Sequence, residues 1–456
     1  MSDEELRELE RHCRSNLSAL LTGATPSYYL FGVPDGTVQG VSLSARIGPE
    51  SDWLHVAQLS LRPGLPLQTT AFQLCESLAR ALPPAAVARR DNLEFNLAVL
   101  HDSALHGTVV DPDLRGIDTA RRAILVMDRG RSAWIVDPAQ SAEQLFRSVV
   151  EDCKVSHPEN ASVVSLAANA ARTPLRISTA PRAVTGPRIR PPAVAGTFYP
   201  AQAGELQNML DGMLDLAPPQ PDCWPAVMVP HAGLQYSGKL AAAVFQQVQI
   251  PETVLILGPK HTRLGVEWAV APHELWQIPG ANIPSDRALA EQLAVAIPGL
   301  ELDAAAHQQE HGIEVELPWI ARLAPGSKVV GIAIGGGNLD RCRQFAAGLA
   351  GLLRSMPRQP LLVISSDMNH FATDSENRRL DEIALRAMET LRPEELFEVV
   401  TRHNISMCGM LPAVIVMETL RQLGGLQTCR RIGYATSADV TGDTRRVVGY
   451  AGMLLR

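Results

Sequence analysis

Four short apolar runs in the second half of the chain each stop at a turn. Ala226–Val229 ends at Pro230, Thr253–Leu257 at Gly258-Pro259, Val329–Ile334 at Gly335, and Leu361–Ile364 at Ser365-Ser366-Asp367. Helical stretches lie between several of them, at Asp286–Ala296 and Arg341–Arg354, and strand-like runs follow at Ile432–Ala435 and Arg446–Leu454. This alternation predicts an α/β domain with helices on both faces of a mixed sheet. In such sheets, sites form where loops leave the carboxyl ends of the strands.

Upstream, residues 171–192 (within ARTPLRISTAPRAVTGPRIRPP) combine Pro, Arg, Ser and Thr without apolar periodicity. Pro187, Pro191 and Pro192 disfavour regular structure there, so the stretch is expected to be a solvated linker. It separates a domain over 193–456 from a smaller α+β domain over 1–170. The smaller domain opens with an amphipathic helix over 3–21. Strands are expected at Thr37–Ala45, Trp53–Leu61, Glu94–Leu100, Ala123–Met127 and Ala133–Val136. Helices are expected at 67–82, with Leu74, Leu78 and Leu82 in line, and at Ala139–Cys153, with Leu145, Val149 and Val150 inward. With 456 residues, 46% of them apolar and a mean hydropathy near zero, the chain can fill two such cores. A net charge of −7 gives no sign of a nucleic-acid surface. No apolar run is long enough to span a membrane, and the polar start MSDEELRELERHCRSNL has no signal-peptide pattern. The seven cysteines are scattered and never form C-x-x-C, which predicts a reducing, cytoplasmic setting.

Chemistry-bearing residues gather at the strand exits. His231 follows AVMVP, His261 follows TVLILGPK, and a third loop carries Asp367 and His370. A helix-like segment presents Glu310, His311 and Glu314, and HNISMCGMLP brings His403 and Cys408 to the start of an apolar helix, Pro412–Leu420. The stretch from Gly233 to Lys239 is nearly a phosphate-binding loop. However, Leu240 stands where the magnesium-binding Ser or Thr belongs, and Leu234, Gln235 and Tyr236 are bulky for a phosphate cradle. Any one of these histidines is as readily a hydrogen-bonding turn residue as a ligand, Asp367 could be a loop anchor, and Cys408 could be a small buried hydrophobe. Their co-occurrence favours a mononuclear metal site of two His and one anionic ligand. Cys408, Asp367 and Glu310 are equal candidates for that anion on spacing alone.

Residues 191–456 resemble the Memo family, also called AmmeMemoRadiSam system protein B. The matching stretches are VAGTFYP (194–200), PHAGLQYSG (230–238), ILGPKH (256–261), EHGIEVELP (310–318), ISSDMNHF (364–371), SMCGMLP (406–412) and GYATSADVTGD (433–443). The resemblance implies a fold similar to the class III extradiol dioxygenases, with a Cys where their third, carboxylate ligand would be. It implies metal ligands His231, His261 and Cys408, with Asp367 and His370 beside the metal and His370 placed to move substrate protons. Tyr236, Glu310 and His311 are expected around the pocket. The implied metal is Fe(II), with copper or zinc as alternatives. Leu234, Thr262 and Val194 depart from residues common in the family, which bears on the pocket and leaves the ligand trio intact.

Residues 1–170 resemble, more faintly, the Ammecr-type domain, system protein A, through NLEFNLAVL and IDTARRAILVMDRGRSAWIVDP. The family's Gly-Cys-Ile-Gly motif is missing, and Gly36–Ser42 reads GTVQGVS. The system's name implies a radical SAM partner. This chain has no C-x-x-x-C-x-x-C cluster motif, so it is not that component itself. Three functions are therefore expected to compete. The first is a dioxygenase-like redox enzyme acting on a small molecule. The second is a non-catalytic protein that handles metal or presents a substrate. The third is a zinc hydrolase, although no G-x-S-x-G elbow is present.

Overall fold

In a computed structural model the chain divides into two units, Met1–Ala180 and Pro181–Arg456. The structure describes residues 1–48, 53–82, 92–128, 131–155 and 157–456. Arg129 and Gly130, inside the second Ammecr-like stretch, lie outside the described residues.

The first unit is built on a seven-stranded antiparallel sheet. In spatial order its strands are Leu54–Leu59, Gly40–Ile47, Leu93–Thr108, Ser162–Ala170, Arg122–Asp128, Arg131–Val136 and Leu175–Ser178. Helix Asp3–Thr22 begins at a capping box between Ser2 and Glu5, and the following Gly23 adopts the left-handed conformation. It buries Leu6, Leu9, Cys13 and Leu17, one every three or four residues, in a cluster with Leu74, Cys75 and Leu78 of helix Leu67–Ala81 and with Phe95 and Leu97 of the sheet. Leu145 and Val149 of helix Ala142–Cys153 are fully buried, with Val150 at the margin of that cluster.

The second unit has a nine-stranded mixed sheet. Its strands are β1 (Ala226–Val229), β2 (Thr253–Pro259), β3 (Trp268–Val270), β4 (Glu301–Leu302), β5 (Lys328–Ile334), β6 (Leu361–Ser365), β7 (Asp367–Ala372), β8 (Cys429–Thr436) and β9 (Val447–Leu455). The spatial order is β4-β3-β5-β2-β6-β1-β9-β7, with β8 also on β9. The centre, β5-β2-β6-β1, is parallel, and β9 is antiparallel to β1, β7 and β8. The central runs are apolar at nearly every position because both faces are covered. Met228, Leu255 and Leu257 face one core with helices Arg287–Ala296, Leu339–Ser355 and Met410–Gln422. Val227, Val229, Val254 and Ile256 face another with helix Leu234–Phe245 and residues of Ala203–Asp211. Among the described residues, no helix is long and apolar enough to cross a membrane.

The stretch 171–192, expected to be a solvated linker, carries regular structure at both ends. Leu175–Ser178 is the edge strand of the first sheet. Ile189–Arg190 pairs with Leu275–Trp276 in a small three-stranded sheet completed by Ala281–Pro284. The prolines flank this two-residue strand rather than interrupting it, and Arg190 is fully buried.

Candidate metal centre

The register of the parallel strands brings the site together. Val229 of β1 lies beside Ser365 of β6, and Leu257 of β2 lies beside Ile364. His231 and Asp367, each two residues past a paired position, therefore emerge side by side, and His261 emerges on the other flank of β6. The expected loop Ser365–His370 is largely strand. Asp367–Ala372 forms β7, which turns back to pair with β9, as Asp367 opposite Tyr450 and His370 opposite Val448 show.

His231 is buried and held at three points. Its backbone N–H donates to Asp367 Oδ1 at 2.9 Å, its Nδ1 meets Ser365 Oγ at 2.8 Å, and its Nε2 lies 3.3 Å from Cys408 Sγ. Asp367 Oδ1 also accepts the Ala232 N–H at 3.3 Å, and the Asp367 N–H points to Cys408 Sγ at 3.2 Å. Burial raises the Asp367 carboxyl to about 7 against these two backbone donors. Burial also raises the Cys408 thiol, with the Asp367 charge adding to it. Gly409 lets Cys408 come this close, since a side chain there would collide with Ser366.

His261 stands on Glu310. Its Nδ1 is 2.7 Å from Oε1, and its backbone N–H donates to Oε2 at 2.6 Å. Glu310 Oε1 also accepts the N–H groups of His311 and Gly312, each at 2.9 Å. Burial would push this carboxyl up, but the His261 side chain and the backbone donors outweigh it and hold it at about 2. Glu310 and His311 sit in a turn before the 3₁₀ segment Glu314–Glu316, not on the helix-like segment that the sequence suggested. The His311 and Gly312 N–H groups go to the Glu310 carboxylate rather than to earlier carbonyls, and Gly312 is itself a poor helix former.

That turn places His311 over the site. The His261 and His311 rings stack with centroids 4.2 Å apart, and His231 meets both edge-on at 5.2 and 5.3 Å. One ligand atom from each of His231, His261 and His311 lies within 4.8 Å of the others. Because Ser365 and Glu310 occupy Nδ1 of His231 and His261, each of these two rings offers Nε2. Burial and mutual repulsion lower the affinity of His231 for a proton, and His311 is pushed down to about 4 by burial and by His261, so both are neutral imidazoles suited to a metal. Cys408 borders this triad through His231 without being one of its three members.

The remaining expected residues take varied positions. His370 donates from Nδ1 to the Ser406 carbonyl at 2.9 Å, leaving Nε2 as an acceptor, and burial lowers its proton affinity. Tyr236 is half-buried on the first turn of helix Leu234–Phe245. That helix begins within the phosphate-loop-like stretch, with Gly233 as its N-cap. Gly238 lies inside it, packed against the Met213 sulfur, so no cradle for phosphate exists there. His403 is exposed at the end of helix Pro393–Arg402.

Three supporting residues escape sequence reasoning. Ser365 Oγ holds His231. Phe198 packs on His311 with ring centroids 4.6 Å apart. Arg190 donates to the Glu310 carbonyl at 2.7 Å and to the His307 carbonyl at 3.0 Å, and pairs with buried Glu314. Glu314 in turn accepts the N–H groups of Ala193 and Val194 and the Tyr199 hydroxyl. This network fixes the segment that carries His311.

The family model for Memo-like proteins matches residues 190–454. A MEMO1 family protein of Aquifex aeolicus is 38% identical over 268 residues, covering 59% of this chain and 99% of the relative. One from Methanobrevibacter smithii is 33% identical over 282 residues, covering 59% of this chain and 100% of the relative. Among solved structures, an uncharacterized protein from Pyrococcus horikoshii matches with 18% identity and a TM-score of 0.30, across 38% of this chain and 99% of its own.

Proposed function

The chain belongs to the Memo family, and from that premise we propose that its second unit binds a transition metal at His231 and His261 and serves a redox task. The observation that carries this reading is the convergence of three imidazoles, two of them anchored through Nδ1, on one small volume. Imidazole suits iron, copper and zinc, and a thiolate from Cys408 adds a soft donor. His311 is the third ligand that the geometry favours, and Cys408 is the third ligand that the family resemblance favours. Fe(II) is the leading metal, with copper and zinc as alternatives. Such a metal, when bound, supplies Lewis-acid or redox chemistry at its open positions.

The protein's own groups have distinct parts in this reading. Asp367 fixes the backbone of His231, and Glu310 fixes His261. His370, whose Nδ1 donates to the Ser406 carbonyl and whose proton affinity burial lowers, is our candidate for taking a proton from a small-molecule substrate. The sheet, with its site at strand carboxyl ends, fits a fold of the class III extradiol dioxygenase kind. The Ammecr-like reading of residues 1–170 extends the proposal. One chain would join the A and B functions of a system completed by a radical SAM enzyme, and the free state of all seven cysteines suits a cytoplasmic setting for it.

Metal analysis after anaerobic purification tests the proposal on wild type and on His231→Ala, His261→Ala, His311→Ala and Cys408→Ala. Near-stoichiometric metal, lost in the first two variants, is the expected result, and the third ligand is whichever of His311 and Cys408 also abolishes it. Air-sensitive iron or copper supports redox work. Air-indifferent zinc favours a hydrolase, and metal passed readily to an acceptor favours a metal-handling protein. Wild-type protein without metal would overturn the reading.

A further inference from the structure

Ser365 Oγ lies within hydrogen-bond reach of three atoms. These are His231 Nδ1 at 2.8 Å, Glu316 Oε1 at 3.0 Å, and the Gly312 carbonyl oxygen. A serine hydroxyl has one proton to give and two lone pairs to receive with. The carbonyl of Gly312 can only accept, so the hydroxyl proton goes there. The other two partners must then donate to Oγ. His231 can do so as its Nδ1–H form, and Glu316 can do so only if its carboxyl carries a proton.

We infer that Glu316 is a neutral carboxylic acid in the folded protein and that its O–H, acting through Ser365, locks His231 in the Nδ1–H tautomer with the Nε2 lone pair turned toward the triad. The surroundings agree. Glu316 is fully buried, makes no ion pair among the described residues, and leaves Oε2 without a hydrogen-bond partner. An ionised carboxylate so placed would lack compensation for its lost hydration, whereas the neutral acid costs far less to bury. Burial biases Glu316 toward the protonated form, the negative charge of Asp367 adds to that bias, and together they outweigh the Ser365 hydrogen bond, which acts the other way. Arg190, the buried cation of this region, is committed to Glu314.

Glu316 is thus a positioning residue. Among the described residues no hydrogen bond or ion pair joins it to the three histidines, and it acts through Ser365. A histidine free to exchange tautomers would spend part of its time with Nε2 protonated and closed to a metal. This consequence rests on the reading of His231 as a ligand, but the proton on Glu316 does not.

Two measurements test the inference. The first is an infrared difference spectrum between metal-free wild type and Glu316→Gln at pH 8, in H₂O and D₂O. The expected result is loss of one protonated-carboxyl C=O band that shifts on deuteration. Loss of a carboxylate band instead would overturn the proposal. Because Gln is nearly isosteric with the neutral acid, this variant should fold. The second is Zn(II) affinity by competition with a chromophoric chelator. Ser365→Ala and Glu316→Leu should each bind about 10- to 100-fold more weakly, as loss of a group that orients a metal-binding histidine typically does. Glu316→Gln, whose amide can still donate to Oγ, should recover most of the loss seen with Leu. Unchanged affinity in Ser365→Ala would overturn the tautomer lock. If wild type binds no metal, the metal reading falls, while the infrared spectrum still decides the proton on Glu316.

Discussion

Arg190 and Glu314 form an ion pair with both side chains almost entirely out of solvent, at 2% and 0% exposure. The pair joins the start of the second unit to the turn that carries His311, because Arg190 also holds the carbonyls of His307 and Glu310. Removing one partner of a buried pair leaves the other charge stranded. Arg190→Met should therefore cost about 3–5 kcal/mol, read as a lowered midpoint in denaturant unfolding. It should also release His311 and weaken metal retention. Arg190→Met combined with Glu314→Gln should recover part of the stability, since the stranded charge is gone while an amide oxygen remains for Tyr199 and the Val194 N–H, at the cost of an NH₂ set against the Ala193 N–H. A single variant as stable as wild type would show that the pair is not an anchor.

Glu310→Gln tests the other support. The amide keeps an oxygen for His261 Nδ1–H but places an NH₂ against a backbone N–H, whichever way it is turned, because both carboxylate oxygens now accept from the backbone. The expected outcome is a 10- to 100-fold loss of metal affinity, by order of magnitude. Chelator competition measures it. Circular dichroism should show the secondary structure unchanged.

How much of this could be read from the sequence follows from which interactions are local. His231 and His261 were legible because each follows an apolar run broken by proline, and a strand's end is a local signal. Asp367 and Cys408 are legible as candidates from their own stretches, and the choice of Cys408 over Asp367 as ligand comes only through motif resemblance. The strand β7 was not, because its hydrogen bonds go to β9, far along the chain, and SSDMNHF has little β propensity of its own. The strand Ser162–Ala170 was missed for the same reason, since its second half, AANA, is held in place by pairing with Leu93–Thr108. Arg190 falls inside the stretch expected to be a linker, and nothing local singles out Glu316. Burial distinguishes them, and burial is a property of the assembled fold. Sequence brings His311 only as far as the pocket, because the turn that swings it over His261 is set by Glu310 and Arg190, not by spacing.

Gly409 has no room for a side chain, because a Cβ would strike Ser366 and the Ser365 carbonyl. Gly409→Ala should destabilise the protein by about 1–3 kcal/mol, the usual cost of overpacking, and push Cys408 away from His231. Wild-type metal content in Gly409→Ala, together with loss of metal in His311→Ala, would assign the third ligand to His311. Loss of metal from Gly409→Ala with retention in His311→Ala would assign it to Cys408. Thermal unfolding with and without added metal separates the packing cost from the binding cost.

Asp381 gives a pH dependence that is separate from the metal centre. It is buried beside β9, where it accepts the Asn369 N–H and the Tyr434 hydroxyl, each at 2.7 Å. Burial raises its carboxyl from 3.8 to about 6 despite these donors and the Arg378 charge. A carboxyl that binds its proton more tightly when folded favours the folded state most below its unfolded value of 3.8. That contribution is lost as pH rises through 3.8 to about 6. That rise corresponds to roughly 3 kcal/mol. Asp381→Asn has no such proton, so the stability of wild type relative to the variant should fall by an amount of that order between pH 4 and pH 7.5 and then level off. Denaturant unfolding of both proteins across that range measures it. A difference that is flat with pH would mean that Asp381 stays ionised in its buried setting.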